Sequence, residues 1–123
     1  MTDYNKELIS FLDKSPTAFH AVANIKARLE AEGYTELAES AKWELSEGGK
    51  YFVVRNDSSI IAFRTPIFDF TGFMISAVHS DSPAFKVKEN PEIVENGYVK
   101  INVEGYGGML MAPWLDRPLS VAG

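Results

Sequence analysis

Apolar residues in this chain recur first at helical and then at strand spacing, and the change divides a helical opening from a strand-rich remainder. Tyr4, Leu8, Phe11 and Leu12 fall at i, i+4, i+7 and i+8. That stripe predicts a helix over about 3–13, with Thr2 or Asp3 as its cap. A second helix is expected from Ser15 as N-cap and Pro16 at the first helical position, where the missing N–H costs nothing. Ala18, Val22, Ile25 and Leu29 form its apolar face, and Gly33 supplies a left-handed stop.

After Gly33 the period shortens. Tyr34–Leu37 and Trp43–Leu45 read as short extended pieces. Gly48-Gly49 turns the chain into Lys50–Val54, and Asn56–Ser59 turns it back into Ile60–Phe63, which predicts an antiparallel hairpin. Pro66–Gly72 links to the run Phe73–Val78, whose continuous apolar character predicts a buried strand. Downstream, Phe85–Lys88 alternates briefly and Glu89–Gly97 is polar, so a domain boundary is placed near Asn90. Tyr98–Glu104 sets Val99, Ile101 and Val103 against Lys100, Asn102 and Glu104, the pattern of a strand with one wet face. Gly105, Gly107 and Gly108 break that strand, and a last one is expected to start at Leu119, as an element begun but not finished.

Composition narrows the function classes. The 123 residues suffice for one core, and 46% hydrophobic with 24% charged side chains is an ordinary globular balance. Seventeen acidic against 12 basic side chains, a net charge of −5, give no basic patch for nucleic acid. The N-terminus lacks a signal-peptide layout and no apolar run approaches the length of a bilayer span, so no membrane role is expected and cytoplasmic residence is the default. Without cysteine there is no disulfide framework and no thiolate nucleophile or metal ligand.

The chemistry expected of the chain sits where the Phe73–Val78 run stops, at His79-Ser80-Asp81-Ser82-Pro83. Alternation along a strand sends His79 and Asp81 to one side and Ser80 to the other. A neutral imidazole can ligate zinc through one nitrogen while a neighbouring carboxylate fixes its tautomer. A surface turn with a capping aspartate is the plainer use of the same letters. A Ser-His-Asp hydrolase is a poorer one, because Ser80 and Ser82 lie outside any nucleophile elbow. Gly105-Tyr106-Gly107-Gly108 lacks the lysine and the strand-to-helix setting of a phosphate cradle and reads as a backbone bend. His20 reads as an ordinary helical histidine, and Trp43 and Trp114 as packing residues.

Four ordered segments together carry a resemblance: SPTAFHAV (15–22), GGKYFVVRNDSSIIAF (48–63), VHSDSPAFKVK (78–88) and VEGYGGMLMAPWLDRPLSVAG (103–123). They resemble the N-terminal part of the aspartyl aminopeptidase family, which belongs to the di-zinc co-catalytic aminopeptidases. The resemblance implies an α/β fold: residues 1–90 as the opening of a three-layer α/β/α zinc-peptidase domain, and residues 91–123 as the first β-strands of an inserted dimerisation domain. It implies hydrolysis of an N-terminal, often acidic, residue from peptide substrates, two zinc ions as cofactors, a glutamate base, and assembly into a homo-oligomer in the cytoplasm. His79 carries over as a metal ligand and Asp81 as the catalytic-site carboxylate that supports it. Met109–Pro113 departs from the family's glycine-rich run before Trp114. The remaining ligands and the base would lie beyond residue 123, so the chain alone is expected to be inactive and to hold zinc weakly. Two alternatives stay open, a related di-zinc aminopeptidase or deacylase of other specificity and a non-enzymatic, self-associating module.

Overall fold

The computed structural model describes residues 3–123, which form two compact units, one running to Asp81 and taking in residues 122–123, the other spanning Ser82–Val121. The chain is an α/β fold, with helices and a mixed sheet in the first unit and a long β-ribbon in the second. No helix among the described residues is long and apolar enough to cross a membrane.

In the first unit, α1 (Tyr4–Asp13) begins where expected, with the Asp3 carboxylate accepting from the Lys6 N–H; Thr2, the alternative cap, lies outside the described residues. The second helix, α2 (Ala18–Ala31), starts two residues later than the Ser15-Pro16 signal suggested. Thr17 is the true cap: it is extended, and its hydroxyl accepts from the His20 N–H. Ser15 instead receives a hydrogen bond from the Asn24 amide, which also donates to the Lys14 carbonyl and so closes the turn between the helices. Gly33 takes φ +78°, the left-handed geometry that ends a helix without a Cβ clash.

The sheet of this unit runs in the order β1 (Thr35–Glu36), β2 (Lys50–Arg55), β3 (Ser59–Arg64), with β1–β2 parallel and β2–β3 antiparallel. Tyr51, Phe52 and Val53 are consecutive and all buried. Neighbouring strand residues point to opposite faces, so β2 is covered on both. One cover is α2, which packs on β1 and β3 and buries Ala21 and Val22. On the Tyr51 face, the Phe63 ring lies 5.7 Å from Tyr51 and 6.1 Å from Trp43. Trp43–Leu45 forms no strand; the Trp43 indole donates to the Ala38 carbonyl and holds that stretch as a loop.

The second unit is a ribbon of β4 (Ala84–Glu95) and β5 (Tyr98–Tyr106), followed by the single turn α3 (Ala112–Leu115). The polar stretch 89–97, whose composition suggested a domain boundary near Asn90, is mostly strand, and residue 90 lies inside β4. Asn96 and Gly97 take φ +51° and +82° between the paired residues Glu95 and Tyr98, the two-residue turn that matches strand twist. Val87 pairs with Val103 and Glu92 with Ile101, so Lys88–Pro91 bulges opposite Asn102, whose amide donates to the Asn90 carbonyl. Pro91, which has no N–H for a ladder, sits in that interruption. The last strand expected from Leu119 does not form.

Candidate metal-ligand site

The strand expected at Phe73–Val78 is absent: no sheet pairing occurs between Thr65 and Pro83, and Phe73, Met74, Ile75 and Val78 are exposed. A run apolar on both faces becomes a strand only where flanking strands meet its N–H and C=O groups and other layers cover its side chains. No strand among the described residues pairs with it.

His79 and Asp81 nevertheless come together. His79 Nδ1 lies 2.9 Å from the Asp81 carbonyl oxygen and 3.2 Å from Asp81 Oδ1. A carbonyl and an ionised carboxylate can only accept, so these contacts are hydrogen bonds when the proton is on Nδ1. That tautomer leaves the lone pair on Nε2. The imidazole is 83% exposed and the carboxylate 42%, so the pair contributes little to stability as an ion pair. Its consequence is orientation: a ring gripped at one nitrogen presents the other as a ligand.

Ser80, between them, is engaged elsewhere: its hydroxyl donates to the Ser58 carbonyl at 3.1 Å. Ser58 lies in the β2–β3 turn, where its N–H donates to the Arg55 carbonyl and Asn56 and Asp57 both have left-handed φ, +51° and +53°. Short polar side chains tolerate that conformation better than most. The anchor is a feature the sequence reading missed, although the polar Asn56–Ser59 turn marked one half of it.

Zinc takes three or four protein ligands. Among the described residues, no group of three or more His, Asp or Glu side chains gathers to hold a metal ion. The geometry therefore fits one ligand, His79, with its carboxylate support, and not a whole cage. His20 is engaged otherwise, its Nδ1 lying 2.8 Å from the Thr17 hydroxyl at the start of α2.

Comparison with known proteins bears on the pair. Residues 11–123 match the family described as aminopeptidase I zinc metalloprotease (M18). The probable M18 family aminopeptidase 2 of Clostridium acetobutylicum is 50% identical over 98% of this chain, which spans 29% of that relative's length. Among solved structures, that of the Ape4 and Nbr1 complex superposes with a TM-score of 0.86 at 37% identity, over 90% of this chain and 22% of the other. The S. cerevisiae mApe1 dodecamer gives a TM-score of 0.73 at 27% identity, over 94% and 28%. The chain thus spans about three-tenths of the curated relatives' length. With residues 11–123 matched from the end of α1 onward, the chain belongs to the M18 family of zinc metalloprotease aminopeptidases.

Proposed function

We propose that this chain supplies the N-terminal part of the catalytic domain of a cytoplasmic zinc aminopeptidase that removes an acidic N-terminal residue from peptides. His79 ligates one of two zinc ions through Nε2, and Asp81 holds the opposite nitrogen in its protonated form. The observation that carries this reading is the contact of Nδ1 with two acceptor oxygens of Asp81, within a sequence that matches a zinc peptidase family. Zinc, when bound, polarises the scissile carbonyl and activates water at neutral pH. The role of this chain is to fix the direction of one ligand.

Residues 91–123 are proposed as the first part of a dimerisation domain in a homo-oligomer. The reading is supported by exposed Val94, Tyr98 and Val99 on the ribbon and by the dodecameric assembly of the mApe1 neighbour. By itself the chain is expected to be inactive, because one histidine and its support fall short of the three or four ligands that a zinc site requires.

The test joins residues 1–123 to the part of the Clostridium acetobutylicum relative that lies beyond the matched region. The chimera is expected to hydrolyse aspartyl and glutamyl anilides in preference to leucyl ones, and His79→Ala to lower turnover by more than about a hundredfold. An active chimera unaffected by His79→Ala would refute the ligand assignment. Turnover by the 123-residue chain alone would refute the proposed inactivity.

A further inference from the structure

We infer that Ser80 is a positioning residue for the metal site: its hydroxyl pins the His79–Asp81 segment to the β2–β3 turn and thereby holds His79 Nδ1 against Asp81. The inference rests on the reading of His79 as a ligand and adds a residue and a structural element to it.

Residues 66–83 have no strand pairing, and the apolar side chains of Phe73, Met74, Ile75 and Val78 are exposed. Neither a ladder nor a packed face therefore defines the path of the chain as it reaches His79. Two contacts between His79 and Asp81, on so short and exposed a loop, are local and compete with water.

The hairpin is the opposite kind of element. Its ladder runs without interruption from Lys50↔Arg64 to Arg55↔Ser59, and Tyr51, Phe52 and Val53 are buried at its centre. The Ser58 carbonyl lies just outside that ladder, in the turn, so the sheet does not use it. Ser80 reaches it at 3.1 Å, with both residues partly shielded from solvent. The hydroxyl that joins loop to hairpin thus belongs to the residue between the two site residues. Fixing Ser80 to the hairpin fixes the stretch of backbone between His79 and Asp81, whose groups meet at Nδ1.

The test follows the tautomer of His79 by NMR in the 123-residue chain labelled with nitrogen-15, at about pH 8.5, above the imidazole range. His20, the other histidine, is an internal control because Thr17 engages its Nδ1. The wild type is expected to carry the His79 proton mainly on Nδ1. Ser80→Ala is expected to shift the population toward Nε2–H and to weaken the zinc-induced shift of His79 by about tenfold in apparent affinity, the lower end for losing support behind a ligand. Ser80→Thr, which keeps the hydroxyl, restores the wild-type pattern. Ser58→Ala, which keeps the accepting carbonyl, changes neither measurement.

An unchanged tautomer and zinc response in a folded Ser80→Ala variant would overturn the inference. Where that variant loses its fold, the decision passes to Ser80→Thr against Ser80→Val, which differ by the hydroxyl at nearly equal volume; identical His79 tautomers in the two would overturn it. The two readings fail separately. A tautomer that follows Ser80 while His79 ignores zinc leaves the anchor standing and removes the ligand. A zinc response indifferent to Ser80 does the reverse.

Discussion

Two apolar runs of the first unit, Tyr51–Val54 and Phe73–Val78, look alike as sequence and meet opposite fates. The first forms the centre of β2, hydrogen-bonded to β1 and β3, with Phe52 fully buried. The second has no paired strand, and Ile75 is 84% exposed. Hydrophobicity is common to both; a neighbour on each edge is not. Burial of a strand is thus a property of the sheet around it, since unpaired backbone groups would have to be desolvated with the side chains.

The largest test of this contrast compares truncations in the two runs. Phe52→Ala should destabilise the chain by about 3–5 kcal/mol, whereas Ile75→Ala should stay within about 0.5 kcal/mol, both read from urea unfolding. Comparable losses would show that the second run is packed in solution.

An intermediate effect concerns structure encoded locally. Thr17→Ala removes the acceptor for the His20 N–H and should cost about 1 kcal/mol, while Ser15→Ala should cost less than about 0.5 kcal/mol. Thermal unfolding of the two variants separates them. The reverse order would return the helix start to Ser15.

The smallest effect is electrostatic and lies at the edge of the hairpin. The Arg55 guanidinium hydrogen-bonds and attracts the Glu39 carboxylate, which lowers the Glu39 pKa from its usual carboxylate value. A lowered folded-state pKa contributes stability above the unfolded value that is lost as pH falls through the folded one. Glu39→Gln should therefore be slightly less stable than wild type at neutral pH, and the gap should close in acid below the usual carboxylate range. A gap that widened on acidification would reverse the assigned sign.

These contrasts also show what was legible in the residues. The helix α1, the β2–β3 hairpin and the Gly33 stop follow from periodicity and turn chemistry, because each is decided by contacts a few residues apart. The start of α2 was misplaced because Ser15-Pro16 and Thr17 offer competing caps, and Thr17 is the one that bonds the His20 N–H. Phe73–Val78 was misread because periodicity reports what a strand would bury and says nothing about its neighbours. The length of β4 was missed although Asn96-Gly97 is a strong hairpin signal, because charged residues and Pro91 disguised the strand before it. At the site, His79 and Asp81 meet although the strand expected to carry them does not form, whereas the link from Ser80 to Ser58 spans 22 residues and could not be read from local pattern.

The four-residue bulge in β4 has a further effect on the ribbon. From Val87 to Glu92 the chain advances five positions while its partner retreats two, from Val103 to Ile101. An odd step against an even one inverts the alternation, so Val94 joins Val87, Val99, Ile101 and Val103 on one side, and Ile93 falls among Lys100 and Asn102 on the other. Lys88–Pro91 is thus a phase shifter: by its residue count it decides whether the ribbon carries a continuous oily stripe or a broken one. The Asn96-Gly97 turn keeps Val94 opposite Val99, so the extra residues of the bulge are what let Val87, an odd number of positions away, share that stripe.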